Sequence, residues 1–246
     1  MSKTIIVNEI FSSVQGEGPN AGARCIFVRV QGCDYSCSFC DSKRTWGVNT
    51  SATAYQPDEL LDNILNMCRS ENCKHVVLTG GNPCLYDFTS IIVGLDIDNI
   101  KVDIETQGSI ISDWMYLIDT IVFSPKPPSS NMLDTYDKIA SYIEDADFEE
   151  QSIAIKIPVF DDEDIEFARK YGAFVNKFTC RNRTANLKLY LSVGNSDVNT
   201  TESIRDRVLS DYENLLNKIN SNPKDFQNVF ILPQLHTLVW GNKQGV

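Results

Sequence analysis

Cys25-Ile26-Phe27-Val28-Arg29-Val30 is followed, after Gln31-Gly32, by Cys33-Asp34-Tyr35-Ser36-Cys37-Ser38-Phe39-Cys40. The first segment is apolar at both sets of alternating positions, so it reads as a strand buried on both faces, the habit of parallel sheets. The second is a loop at the end of that strand, with its three cysteines separated by three and then two residues. Three thiolates on one short loop can hold three irons of a four-iron cluster, leaving the fourth iron without a protein ligand. A structural site would be closed by a fourth ligand, so an open iron is a place for chemistry. Arg29 is the one charge inside the apolar strand. It suits either a structural ion pair or a ligand carboxylate, for which its forked donors are apt.

Working outward, segments 5–11, 75–79, 101–104, 120–123, 153–160, 187–193 and 228–232 also read as strands. Helical patterns lie between them, over 57–68, around Ile91-Ile92, over 133–143, at the acidic start Asp161-Asp162-Glu163-Asp164 and over 201–219. The stretch 12–19 is a glycine-punctuated loop, and 172–186, polar and aperiodic, reads as an insertion or loop. His75, at a strand start, reads as a surface residue. This alternation predicts an α/β fold of mostly parallel strands with crossover helices, curved into a partial, open TIM-like barrel, as a single domain over 1–246. Polar groups fall just after the strands: the cysteine loop, Gly80-Gly81, Glu105, Ser124-Pro125-Lys126, Gly194-Asn195 and Gln234-Leu235-His236. In parallel barrels that rim is where active sites are built.

With 42% hydrophobic and 22% charged residues among 246, the composition is that of a globular protein with ample core. A formal charge of -11 argues against direct binding of nucleic acid, and still allows a small anionic substrate held by a few local cations. The start, Met1-Ser2-Lys3-Thr4, has no signal-like apolar core, and no apolar run approaches a membrane span of about 20 residues, so the expected location is the cytoplasm. Of eight cysteines, Cys25, Cys68, Cys73, Cys84 and Cys180 are scattered and read as packing residues or free thiols.

Cys33-x3-Cys37-x2-Cys40, with Phe39 before the last cysteine, and Gly80-Gly81-Asn82-Pro83 resemble the two signatures of radical S-adenosylmethionine enzymes. Val14-Gln15-Gly16-Glu17-Gly18, Glu105-Thr106-Gln107-Gly108, Ser124-Pro125-Lys126-Pro127-Pro128 and Leu232-Pro233-Gln234-Leu235-His236 are similar, more narrowly, to the 7-carboxy-7-deazaguanine synthase family. That resemblance implies ring contraction of 6-carboxy-5,6,7,8-tetrahydropterin to 7-carboxy-7-deazaguanine with loss of ammonia, in 7-deazapurine (queuosine) biosynthesis. Cys33, Cys37 and Cys40 would ligate a [4Fe-4S] cluster, and Ser42 would ligate Mg²⁺. Phe39, Cys40, Asp41, Gly81, Ser124, Pro125 and Lys126 would line the S-adenosylmethionine site, with Gly81 letting backbone approach the cofactor. Val14, Gln15, Gly16, Glu17, Arg29, Thr79, Glu105 and His236 would meet the substrate. The resemblance also implies a lyase fed by an electron donor such as flavodoxin or ferredoxin, and a homodimer. Asn82 stands where the superfamily signature usually has an acid, and Ser42 where a Thr is also common.

Two other readings compete. An activating enzyme for a glycyl-radical partner would share the cluster loop but would not need Gln15, Glu17, Arg29 and His236. A zinc-binding interaction module would use Cys33, Cys37, Cys40 and a fourth Cys or His, but structural zinc loops more often pair cysteines as Cys-x2-Cys twice, and nothing here supplies the second pair.

Overall fold

Successive side chains of a strand point to opposite faces, and here the two faces have different jobs. In a computed structural model, the described residues are 4–47, 51–182, 186–195, 204–243 and 245. The strands are β1 (Ile5–Val14), β2 (Arg24–Val30), β3 (Thr53–Tyr55), β4 (His75–Gly80), β5 (Lys101–Thr106), β6 (Thr120–Phe123), β7 (Ser152–Val159), β8 (Leu187–Val193) and β9 (Val229–Leu232). The helices are α1 (Pro57–Ser70), α2 (Thr89–Ile97), α3 (Tyr136–Asp145), α4 (Asp162–Asn182), α5 (Ile204–Asn220) and α6 (Leu235–Trp240). All strands join one sheet in the order β3-β1-β2-β4-β5-β6-β7-β8-β9. β1 is antiparallel to β2 and β3, and from β2 to β9 every pairing is parallel. The sheet is not closed: β3 and β1 lie at one edge and β9 at the other. This is the partial barrel that the strand–helix alternation predicts.

Residues of one parity, among them Ile26, Val28, Leu78, Ile104, Ile121, Ile155 and Leu189, share a single core with Leu60, Ile64, Leu95, Ile143 and Tyr171 from the helices. The opposite parity forms two small apolar clusters: Cys25, Phe27 and Val77, and separately Val122, Ala154 and Tyr190. Further along the same strands and on that same face come Arg29, Thr79, Glu105 and Lys156, all at a cavity wall. The inner face is therefore apolar toward the amino ends and polar toward the carboxyl ends. That gradient places the site.

Three sequence expectations change. Ser12, Ser13 and Val14 continue β1, paired with Ile26, Cys25 and Arg24, so the loop starts at Gln15. Residues 172–182 are not a loop but the second half of α4. Tyr171, Val175 and Phe178 are buried there, with Phe174 packed beside them, and this i, i+4, i+7 aromatic-rich stripe outweighs the polar residues between. His75 is not a surface residue: its Nε2 lies 2.8 Å from Oδ2 of the buried Asp103. The long helix predicted from 201 begins, as described, at Ile204, and residues 201–203 lie outside the described residues. Cys25, Cys68, Cys73, Cys84 and Cys180 are free, and all but Cys180 are buried. Among the described residues no helix is long and apolar enough to cross a membrane.

Candidate active site

The cysteine loop leaves β2 at Gln31 and lies over the carboxyl ends of the parallel strands, so the thiols of Cys33, Cys37 and Cys40 all reach one open cavity. They are free, and no other cysteine among the described residues lines that cavity. Burial pushes all three thiols up, Cys37 to about 11 in spite of the nearby Lys126. Loading a cluster therefore has to displace protons from them. Among the described residues no three His, Cys, Asp or Glu side chains converge as one ion would require. A four-iron cluster does not ask for that, because each cysteine binds its own iron. The donor set fits a cluster with one iron open.

The loop is held down by backbone. A Cβ on Gly81 would lie 1.8 Å from the carbonyl oxygen of Gly32 and 3.0 Å from the Cys33 nitrogen. So the end of β4 and the start of the cysteine loop touch main chain to main chain, and Asn82 N–H donates to Gly32 O at 2.8 Å. Gly81 is needed first for this contact, beneath any approach to a cofactor. Asn82 is fully buried, and its amide is wholly engaged. Its Nδ2 donates to Asp34 Oδ1 (2.8 Å) and Ser109 Oγ (3.2 Å), while its Oδ1 accepts from Thr106 Oγ1 (3.0 Å) and Cys84 N–H (3.2 Å). An acid could not donate to Asp34, so here Asn82 braces the cysteine loop. Gln107 Nε2 adds a second donor to Asp34 Oδ1 at 2.7 Å.

On the cavity wall Phe39 packs against Phe160, ring centroids 4.3 Å apart. Gly194 makes room for that pair, since a Cβ there would sit 2.2 Å from the Phe160 ring. Ser124 Oγ accepts from Lys126 Nζ at 3.0 Å. Burial, with Lys156 nearby, pushes the Lys126 ammonium down. Pro125 is buried behind this segment and does not line the cavity, unlike Ser124 and Lys126 on either side of it.

Arg29 makes a structural ion pair and also lines the cavity. β1 and β2 shift register between Val7 and Glu9, which sets Glu9 opposite Arg29. Arg29 Nε donates to Glu9 Oε1 at 2.7 Å, and Arg44 shares that oxygen at 2.6 Å. Burial alone would raise the Glu9 carboxyl, but the two guanidiniums hold it below its ordinary value. Arg29 also donates to Ser42 Oγ at 3.2 Å and lines the cavity, and Ser42 in turn donates to Asp41 Oδ1 at 2.9 Å. Ser42 Oγ keeps a lone pair for a cation.

Val14, Gln15, Gly16, Glu17, Thr79, Glu105 and His236 all line the same cavity. Glu105 accepts Gln15 Nε2 at 3.0 Å and Thr79 Oγ1 at 2.9 Å. Glu17 N–H donates to Gln15 Oε1 at 3.3 Å. Gly16 is packed so closely on His236 that a Cβ would come within 2.4 Å of Nδ1. Three residues here were given no site role from the sequence. Arg44 and Gln234 line the cavity, and Gln234 Oε1 is buried without a partner. The third is Lys156, whose Nζ lies 2.7 Å from Glu17 Oε2. Its sequence signal was the same as that of Arg29: one charge in an otherwise apolar strand.

An open parallel barrel with a three-cysteine loop at its carboxyl rim defines a radical S-adenosylmethionine enzyme. Residues 14–122 match a family described as a 4Fe-4S single cluster domain. The fold is similar to the crystal structure of QueE from Escherichia coli, with a TM-score of 0.65 at 21% identity over 95% of both chains. It is also similar to Streptococcus suis SuiB bound to S-adenosylmethionine, with a TM-score of 0.51 at 17% identity over 84% of this chain and 47% of that one. The chain is 39% identical to the 7-carboxy-7-deazaguanine synthase of Bacillus subtilis and 38% identical to that of Bacillus cereus, each over 100% of both sequences. It belongs to the 7-carboxy-7-deazaguanine synthase family. That membership sets aside the activating-enzyme and zinc-module readings.

Proposed function

We propose that the chain converts 6-carboxy-5,6,7,8-tetrahydropterin to 7-carboxy-7-deazaguanine with release of ammonia, using a [4Fe-4S] cluster, S-adenosylmethionine and Mg²⁺. The observation that carries this reading is the bonded set Gln15, Glu17, Thr79 and Glu105 lining one cavity together with three free thiols and Arg29.

A pterin presents N–H donors and carbonyl or ring-nitrogen acceptors along one edge. Glu17 and Glu105 accept, Gln15 does either, and because every carboxylate oxygen of the pair already accepts one hydrogen bond, the bonds fix which lone pairs are left for the ligand. Arg29, anchored to Glu9 through Nε and to Ser42 through Nη1, has further N–H groups of its fork to offer the substrate carboxylate. Ser42 Oγ, between Arg29 and Asp41, supplies the hydroxyl oxygen that Mg²⁺ would share with substrate oxygens and water. Phe39 offers an apolar ring and Gly81 a bare backbone for S-adenosylmethionine, with Ser124 and Lys126 at its polar end. Held by Cys33, Cys37 and Cys40, the cluster would supply the electron for reductive cleavage of the sulfonium. The residues around it exclude water and hold the pterin to one orientation. The same reading brings a single domain over 1–246, a one-electron donor of the flavodoxin or ferredoxin kind, a homodimer and a cytoplasmic location.

The test is anaerobic reconstitution, expected to load about four irons per chain. Incubation with reductant, S-adenosylmethionine, Mg²⁺ and the carboxy-tetrahydropterin should then yield the deazaguanine acid by mass spectrometry. Cys37→Ala should give none. Stoichiometric zinc in place of iron, or full turnover by the Cys37 variant, would overturn the proposal.

A further inference from the structure

Lys156 lines this cavity, and neither motif nor resemblance brings it forward. Its strand, β7, sends Ile153, Ile155 and Ile157 to the helix-facing core and Ala154 to the inner face, and Lys156 follows Ala154 inward. Glu17 sits on the loop after β1, five places away from β7 in strand order. Their 2.7 Å ion pair therefore spans the interior of the barrel, with both side chains only 12% exposed. Gln234 Nε2 takes the other Glu17 oxygen at 3.2 Å. Two of the carboxylate's roughly four acceptor sites remain, on a residue that lines the cavity.

We propose that Lys156 is a positioning residue for substrate recognition: it keeps Glu17 ionised and turned as an acceptor for the N–H edge of the pterin. The inference rests on the reading of Glu17 as a substrate contact. Burial would raise the Glu17 carboxyl, yet Lys156, His236 and Gln234 together hold it at about 2. Without Lys156 the burial is opposed only by the weaker partners, so the carboxyl rises. Once protonated it presents an O–H donor to an N–H donor, and the match is lost. The other charged groups facing the pair are His236 after β9, Glu105 on β5, Lys126 after β6 and Asp41 on the cysteine loop. All four are present in wild type and variant alike, so the ratio of their affinities isolates Glu17.

The experiment is anaerobic equilibrium dialysis of the carboxy-tetrahydropterin against reconstituted enzyme with S-adenosylmethionine, from about pH 8 to about pH 5.5. Wild type, Lys156→Met, Lys156→Arg and Glu17→Gln are compared, each first checked for iron content and cofactor binding. The Lys156→Met to wild-type ratio of Kd should widen as pH falls, approaching tenfold per unit below the new carboxyl value. Lys156→Arg should restore a ratio that does not change with pH. Glu17→Gln should bind about ten- to a hundredfold more weakly at every pH, the loss expected for a charge-assisted hydrogen bond. Normal binding by Glu17→Gln would remove Glu17 from the substrate site and the inference with it. Weak binding by Glu17→Gln beside a constant Lys156→Met ratio would leave Glu17 in place and overturn the role of Lys156. If the Met variant does not load iron, Lys156→Gln, which keeps a donor and drops the charge, makes the same comparison.

Discussion

Glu9 has one carboxylate oxygen between two guanidiniums, and that arrangement decides how Arg29 can be tested. Removing Arg29 leaves Glu9 paired with Arg44, so no buried charge is orphaned and the fold should survive. Arg29→Ala should weaken substrate binding about ten- to a hundredfold, because a hydrogen bond to a charged group contributes about 1.5–3 kcal/mol. S-adenosylmethionine binding should stay near wild type, as titration of the reconstituted protein would show. Arg29→Lys should rescue little, since an ammonium has no planar fork to serve Glu9, Ser42 and a carboxylate together. Unchanged substrate affinity in Arg29→Ala would reduce the residue to its ion pair with Glu9. Arg29 was legible from sequence as a lone charge in an apolar run, and Lys156 carried the same mark. Glu9, Arg44 and Asn82 were not legible as site-building residues, because their partners lie on other elements. A register shift in β1, a turn after Cys40 and a cross-loop amide network define them only once the chain is folded.

The element that fixes the chemistry's place is the junction of β4 with the cysteine loop. At Gly80, φ is +128° and a Cβ would fall 2.4 Å from the Val30 nitrogen; at Gly81 the obstacle is Gly32 O. Neither neighbour is a flexible side-chain tip, so Gly81→Ala must move main chain that carries Cys33. The expected result is a stability loss of about 1–3 kcal/mol or more, as overpacking gives, together with poor iron loading. Thermal unfolding and iron content measure the two. Normal iron content at an unchanged Tm would mean that the contact is not needed. At this scale the sequence was informative where β-branched runs and glycine pairs coincide, as at Val76-Val77-Leu78-Thr79-Gly80-Gly81. It misled where polar residues dilute a helical stripe, as in α4. There Tyr171, Val175 and Phe178 keep the helical period while Asn176, Lys177 and Thr179 obscure it. β1 was cut short for a related reason: Ser12 and Ser13 look like loop residues, yet they pair with β2.

For the whole molecule, an open barrel has a seam, and a seam at an active site must be bridged. β1 and β9 are edge-side strands that do not pair with each other, but the segments following them meet at the rim. Leu235 N–H donates to Gly16 O at 3.1 Å, Gln234 donates to Glu17, and His236 packs on Gly16. The substrate wall is thus assembled from residues near both ends of the order β1 to β9, whereas the cluster loop is held by Gly81 and Asn82 after β4, Gln107 after β5, Ser129 and Ser130 after β6 and Phe160 after β7. The two halves of the site should therefore be separable. A chain ending at Pro233 loses Gln234, His236 and α6, in which Thr237 is the only buried residue, so little core goes with it. Such a chain should still load about four irons and bind S-adenosylmethionine, because Cys33, Cys37, Cys40 and the Gly81 shelf are untouched. It should fail to hold the carboxy-tetrahydropterin, since Glu17 would keep Lys156 but lose Gln234 and the backbone clasp that sets its loop. Iron analysis and anaerobic equilibrium dialysis with each ligand would read the two outcomes separately. Pterin binding equal to that of the full chain would show that the seam needs no bridge. Loss of iron as well as pterin would show that the rim acts as one unit, with the cysteine loop dependent on the closure across from it.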